Sequence, residues 1–193
     1  MANKTEFGIR SRRPAEPAED KPELGGGVLS LLRTLAIMLM RQPRWMSWIL
    51  PGLWMGLIWF VSGLSDPLGS QPSRPLAYFG NLAHPFEFGV LALLFLPTRR
   101  RTEGWIRFDV ETLGGVVVLI LLFAAGDEIH QAFVPGRHSS ALDWLADATG
   151  VYCTLKVADY VSRPEATSSG VINRCLYGLF LCVTAAGLSF LGG

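Results

Sequence analysis

Apolar residues fall along this chain in five long stretches, separated by short segments rich in polar residues, Pro and Gly. A helix of about 20 apolar residues is long enough to cross the hydrocarbon core of a bilayer. The pattern therefore predicts an all-α, multi-pass transmembrane helix bundle of about five spans. These spans are predicted at residues 46–64, 76–96, 112–133, 141–161 and 171–191.

The fourth predicted span is the least apolar of the five, because it carries Asp143, Asp147, Lys156 and Asp159. Ionisable side chains are costly in contact with lipid and usually face the interior of a helix bundle. We therefore expect neighbouring helices to surround this span.

The chain before the first span differs in composition. Residues 28–40 are apolar, but the segment is short for a span and contains Arg33, so a short interfacial amphipathic helix is predicted over residues 28–44. Residues 1–27 are rich in Pro, Glu, Lys and Arg and are predicted to be a disordered cytoplasmic tail. Residues 45–162 are predicted to form a transmembrane domain of four spans, and residues 163–193 a linker with the fifth, C-terminal span.

Basic residues indicate the orientation of the spans. Arg and Lys are concentrated before the first span, in the second loop and around the fourth loop, whereas the first and third loops each hold one Arg. Cytoplasmic loops carry the excess of Lys and Arg, so the N-terminus is predicted to be cytoplasmic and the C-terminus external. The predicted location is the bacterial inner (plasma) membrane.

Overall charge and cysteine content add little to this picture. The formal net charge of +1 gives no reason to expect a nucleic-acid partner. The three cysteines lie in apolar segments without metal-ligand spacing and are predicted to be inert.

Polar residues on three spans are expected to lie in the outer half of the bilayer. His84 and Glu87 are three residues apart in the second span, and so share one helix face. Asp143 and Asp147 are four apart in the fourth span, and Gly150 on the same face would let a neighbouring helix approach closely. The predicted polar pocket consists of His84, Glu87, Asp127, Glu128, Gln131, Arg137, Asp143 and Asp147.

Carboxylates outnumber cations in this group. Glu128 and Asp143 could be paired with His84 and Arg137, which leaves Glu87, Asp127 and Asp147 without a counter-charge. Such an excess in a low dielectric implies raised pKa values, bound water or a divalent cation. It favours a functional cavity.

Three other interpretations remain open. In the first, the polar residues form only an internal network that locks the helices together. The five carboxylates could instead hold Mg²⁺ or Ca²⁺, although no compact metal-binding motif is present. Acid–base chemistry by His84 with Glu87 or Glu128 is chemically feasible, but no nucleophile beyond ordinary serines is evident, so catalytic residues are not assigned. No cofactor is predicted apart from this alternative of a divalent cation, and His130 and His138 are expected to be solvated.

Three segments, HPFEFGVLALLF, DEIHQAFVPGR and DWLADATG, together resemble the VanZ-like membrane proteins. The resemblance covers roughly residues 54–154, and the eight pocket residues fall on recurrent polar positions of that family. The family is named for low-level glycopeptide (teicoplanin) resistance, and its molecular activity is not settled.

The expected function is to bind or process a lipid, or a lipid-linked cell-envelope component, in the polar pocket. By the resemblance, this function is linked to glycopeptide resistance. The alternative is a non-enzymatic structural or accessory subunit of a membrane complex, in which the polar residues only stabilise helix packing. The expected partners are membrane lipids, a lipid-linked envelope precursor or other membrane subunits, and no nucleic acid.

Overall fold

The computed structural model describes residues 27–65, 74–99, 101–102, 105–137 and 139–192. Within these ranges the chain forms six α-helices: α1 (Val28–Met40), α2 (Arg44–Ser62), α3 (Arg74–Phe95), α4 (Val110–Ala132), α5 (Ala141–Ser162) and α6 (Ser168–Gly192). The predicted all-α bundle is confirmed. The predicted disordered tail lies outside the described residues except for Gly27.

The connection between α3 and α4 contains structure that the sequence pattern did not predict. A single 3₁₀ turn, Leu96–Thr98, leads into two short antiparallel strands, β1 (Arg101–Thr102) and β2 (Trp105–Ile106). Ile106 is buried and clusters with Met40, Leu96 and Leu113. This apolar contact holds the connection against α1 and α4.

Polar side chains define the N-terminal ends of α4 and α5. The Asp109 carboxylate accepts a hydrogen bond of 2.8 Å from the Thr112 N–H, which lowers the pKa of Asp109 because the bond favours the charged form. The Ser140 hydroxyl accepts a hydrogen bond of 3.1 Å from the Leu142 N–H and so caps α5. Gly136, between the two helices, has a φ of 82°, a conformation that favours glycine at this turn.

The chain is a multi-pass membrane protein. Four helical segments are long and apolar enough to span a bilayer: Arg44–Ser62, Tyr78–Thr98, Val110–Ala132 and Ser168–Leu191. Large apolar side chains such as Leu53, Phe60, Leu122 and Phe180 are exposed on these helices, as expected for surfaces that contact lipid. The orientation of the termini stays a prediction.

Helix α5 occupies the centre of the bundle. Its 22 residues would extend about 33 Å, enough to cross a membrane, but it is too polar to be among the four apolar candidates. It packs against α1, α3, α4 and α6, so the expectation that neighbours surround it is confirmed. The count of five spans stays a prediction.

Arg33 explains the charge within the otherwise apolar α1. Its guanidinium donates to the carbonyl oxygen of Val161 at 3.1 Å and to that of Arg163 at 2.6 Å. These carbonyls lie at the C-terminal end of α5, where backbone acceptors lack intrahelical partners. Arg33 therefore joins α1 to the end of α5.

The backbones of α3 and α5 lie very close together at Gly150. A Cβ atom added there would overlap the backbone carbonyl group of Pro85. The predicted close approach at Gly150 is thus confirmed. The contact fixes the spacing of the two helices next to His84, which precedes Pro85, and one turn from Asp147.

We predict that Gly150→Ala will destabilise the bundle, because the new methyl group meets backbone atoms that cannot rotate away. The expected loss is about 1–3 kcal/mol, the usual cost of overpacking. Thermal unfolding of the detergent-solubilised full chain measures it. The matched control is Gly126→Ala, whose Cβ would meet nothing within 4 Å. An equal effect of both substitutions would contradict the assigned role of the α3–α5 contact.

Candidate functional site

The predicted polar residues meet at one end of the helix bundle. His84 and Glu87 come from the middle of α3, Asp127, Glu128 and Gln131 from the last turns of α4, and Asp143 and Asp147 from the first two turns of α5. Asp127, Glu128, Gln131, Asp143 and Asp147 are buried. Some of these side chains are hydrogen-bonded to neighbouring residues, whereas others have buried polar atoms without a hydrogen-bond partner among the described residues.

Asp127 belongs to the first kind. One carboxylate oxygen accepts a hydrogen bond of 2.6 Å from the Ser62 hydroxyl of α2, and the other accepts one of 2.8 Å from the Gln131 amide one turn away. Both oxygens are therefore satisfied in a side chain that is only 2% exposed. The contact fastens α2 to α4.

Asp143 has a comparable role between α5 and α6. Its carboxylate accepts a hydrogen bond from the Ser189 hydroxyl, and that hydroxyl accepts one of 3.1 Å from the Asn81 amide. The chain of bonds links α3, α6 and α5. Ser189 is buried, so these bonds are shielded from solvent.

The ion pairs expected for Arg137 and His84 are not those that form. The Arg137 guanidinium donates to the carbonyl oxygens of Val61 at 2.7 Å and Leu64 at 3.3 Å, at the C-terminal end of α2. No carboxylate of the described residues lies within ion-pair distance of it. Unpaired helix-end carbonyls attract a cation, which explains the contact.

His84 faces Asp147, not Glu128. The imidazole Nδ1 lies 3.3 Å from one carboxylate oxygen of Asp147. Glu128 completes the group, since the nearest polar atoms of His84, Glu128 and Asp147 all lie within 4.8 Å of one another. We call these three residues the three-residue cluster.

Several polar atoms of this cluster are buried without a hydrogen-bond partner among the described residues. They are Nδ1 of His84, Oε1 of Glu128 and both carboxylate oxygens of Asp147. Although Nδ1 and Asp147 are close, their geometry is not that of a hydrogen bond. Only the second oxygen of Glu128 is engaged, and it accepts a bond of 2.8 Å from the Ser140 N–H. The cluster therefore contains buried hydrogen-bond acceptors that lack donors among the described residues.

Glu87 lies beside the cluster but not within it. Its backbone carbonyl accepts a hydrogen bond of 2.9 Å from the Trp54 indole, while its half-buried carboxylate has no bonding partner among the described residues. The charged groups nearest to that carboxylate are His84, Asp127 and Arg137.

His130 is packed, not solvated as expected. Its ring stacks on Trp59 with centroids 4.2 Å apart, and its Nε2 atom is buried. The other histidine expected to be solvated, His138, lies outside the described residues.

An apolar cavity of about 480 Å³ begins close to the cluster, between α1, α3, α5 and α6. Its lining includes Pro85 and Phe86, which follow His84, and Gly150, one turn after Asp147. The volume is typical of small-ligand pockets, which are about 300–1,000 Å³.

Sequence reasoning did not single out Ser62 or Ser189, although each binds a predicted site carboxylate. Each serine lies at the external end of its predicted span, within a run of apolar residues. That position was a usable signal, because a hydroxyl can satisfy a buried carboxylate only from the same depth. Asn81, visible in the second span, was likewise not assigned to the site.

The model of the VanZ/LLP1 family matches residues 16–159, about three quarters of the chain. The chain belongs to the VanZ/LLP1 family. The match includes α1 to α4 and α5 up to Asp159, and so contains the whole three-residue cluster, whereas α6 with Ser189 lies outside it. No curated protein and no solved structure matches the chain.

We predict that Ser62→Ala will destabilise the protein by about 1–3 kcal/mol, because it leaves a buried oxygen of Asp127 without its donor. The change is measured by thermal unfolding in detergent. Ser47→Ala is the control: Ser47 is equally buried on α2, but its hydroxyl bonds only a carbonyl of the preceding turn. A loss no larger than that of Ser47→Ala would show that the Ser62–Asp127 contact does not hold α2 to α4.

Proposed function

We propose that this VanZ/LLP1-family protein binds a lipid, or a lipid-linked cell-envelope component, in the bacterial inner membrane. The polar head of the ligand binds at the three-residue cluster, and an apolar chain occupies the neighbouring cavity. In the predicted orientation the cluster lies in the outer half of the bilayer, and the cavity extends from there toward the cytoplasmic ends of α3 and α5, where Leu96 and Val161 line it.

The unsatisfied buried atoms of the cluster are the observation that carries this proposal. A buried acceptor without a partner costs roughly 1–3 kcal/mol. Asp127 and Asp143, only a few residues away, avoid that cost through serine hydroxyls. Residues kept unsatisfied beside satisfied neighbours are expected where a ligand supplies the missing partner.

The apolar cavity supports an amphiphilic ligand over a purely polar one. Its lining consists almost wholly of aliphatic, aromatic and small side chains, among them Leu93, Val157 and Leu179. It starts within one helical turn of Asp147, so one molecule could place a charged head and an acyl or isoprenoid chain at the two sites.

The proposed link to glycopeptide resistance rests on the family likeness. A ligand that belongs to the envelope chemistry that glycopeptides target would account for it. The structural alternative is supported only for part of the site, by the cross-helix contacts of Asp127 and Asp143. Among the described residues, the three-residue cluster makes no such contact between side chains beyond the 3.3 Å approach of His84 and Asp147.

Mass spectrometry of co-purified lipids tests the proposal. Wild-type protein in mild detergent should retain a defined lipid, and Asp147→Asn and Glu128→Gln should reduce its occupancy about ten-fold or more. That reduction corresponds to the loss of one contact to a charged group, about 1.5–3 kcal/mol. Both substitutions keep the shape of the side chain.

Asp159→Asn is the matched control, because it makes the same change on α5 at an exposed ion pair with Arg163. It should retain the lipid. Equal lipid content in all four proteins would contradict the proposed binding site. Loss of folded protein in the two cluster variants, but not in the control, would favour the structural alternative.

A further inference from the structure

We propose that His84, Glu128 and Asp147 bind one divalent transition-metal cation of the zinc class. This proposal deepens the proposed function. It rests on the proposed function for the identity of the lipid ligand, whereas the binding of the cation is argued independently. It also differs from the all-oxygen magnesium or calcium site considered from the sequence, because a histidine replaces three of the five carboxylates.

The geometry of the donors fits a single ion. Two ligands about 2.1 Å from a tetrahedral zinc ion lie about 3.4 Å apart. Nδ1 of His84 and the nearest Asp147 oxygen are 3.3 Å apart, and the Glu128 donor completes a group within 4.8 Å. The wider separations in this group would have to shorten toward that value when an ion binds.

Burial and lack of partners give a second, independent observation. Asp147 is 1% exposed, yet neither of its carboxylate oxygens accepts a hydrogen bond within the described ranges. The free oxygen of Glu128 and Nδ1 of His84 are in the same condition. Each of these atoms is of a metal-ligand type, and the three residues bring one donor atom each to within 4.8 Å of the others.

The charge of the cluster also calls for a cation. Two buried carboxylates, when ionised, carry two negative charges, and the single imidazole can offset at most one of them, while the Arg137 guanidinium is bound to carbonyl oxygens of α2. A divalent ion neutralises this pair. Without it, the cluster would repel the phosphate group of a lipid or lipid-linked headgroup; with it, the remaining coordination positions attract an anionic oxygen.

Two carboxylates outside the set, those of Asp127 and Asp143, are already occupied. Asp127 is bonded to Ser62 and Gln131, and Asp143 to Ser189. By contrast, the Ser140 N–H holds the second oxygen of Glu128 and so orients the first. Outer-shell contacts of this kind are typical of metal ligands.

The donor types select the class of ion. One imidazole nitrogen and two carboxylate oxygens suit Zn²⁺ or Mn²⁺, whereas Mg²⁺ and Ca²⁺ prefer oxygen alone. Among these ions, zinc is expected to bind more tightly than manganese at a mixed site. Three protein ligands also leave a position open for an external group.

The test is metal binding to the purified full chain in detergent. After treatment with a chelator, the protein is titrated with Zn²⁺, its metal content is determined by mass spectrometry, and Co²⁺ is added separately to record visible absorption. We expect one equivalent of Zn²⁺ and a cobalt spectrum typical of a low-coordinate site. Zn²⁺ binding should be weakened at least about 10–100-fold by each of Asp147→Asn, Glu128→Gln and His84→Ala. Changing even an outer-shell contact usually has an effect of that size, and these residues are proposed as direct ligands.

Two controls keep the result specific. Glu87→Gln removes an adjacent carboxylate outside the donor set, and His130→Gln removes another membrane-embedded histidine; both should bind Zn²⁺ as the wild type does. If His84→Ala does not fold, the two isosteric variants decide the outcome. Wild-type binding below one equivalent, or equal binding by the cluster variants and the controls, would overturn the metal site.

Lipid content measured in the same preparations separates this proposal from the proposed function. Lipid retained by chelator-treated wild type but lost from Asp147→Asn, with no stoichiometric zinc, would overturn the metal site and leave lipid binding intact. Stoichiometric zinc with a lipid content unaffected by the cluster variants would support the metal site and overturn lipid binding.

Discussion

A carboxylate buried among helices in a bilayer must find its partners inside the protein, because the lipid supplies none. This constraint explains most of the structure at the polar end of the bundle. Asp127 draws α2 to α4 through Ser62, and Asp143 draws α6 to α5 through Ser189. In the same way, the Arg137 guanidinium donates a hydrogen bond to a backbone carbonyl oxygen at the end of α2.

Helix α5 brings these contacts together. Its first two turns carry Asp143 and Asp147, and its next turn carries Gly150, where the backbone of α3 lies very close. A bulkier residue at Gly150 would separate Asp147 from His84. The small residue and the two carboxylates therefore act as one unit, which holds the cluster on rigid helices instead of loops.

The helices and the shared site could be predicted from the sequence because both depend on simple regularities. Apolar stretches of span length identified α2 to α6, and intervals of three or four residues placed the polar groups on common helix faces. The partners could not be predicted. Ser62 and Ser189 look like ordinary small residues, and the choice of Arg137 between a carboxylate and a carbonyl depends on helix ends that only the folded chain defines. The pairing of His84 with Asp147 likewise depends on the α3–α5 approach at Gly150.

The central claim is that Asp147 is kept without partners for a ligand, whereas Asp127 is bound for stability. Thermal unfolding of chelator-treated Asp147→Asn in detergent tests this claim most directly. Because the substitution removes a buried charge whose oxygens accept no hydrogen bond among the described residues, the account predicts a melting temperature equal to or above that of the equally treated wild type. A fall in melting temperature as large as that caused by Ser62→Ala would contradict it, because Asp147 would then be part of the structural network.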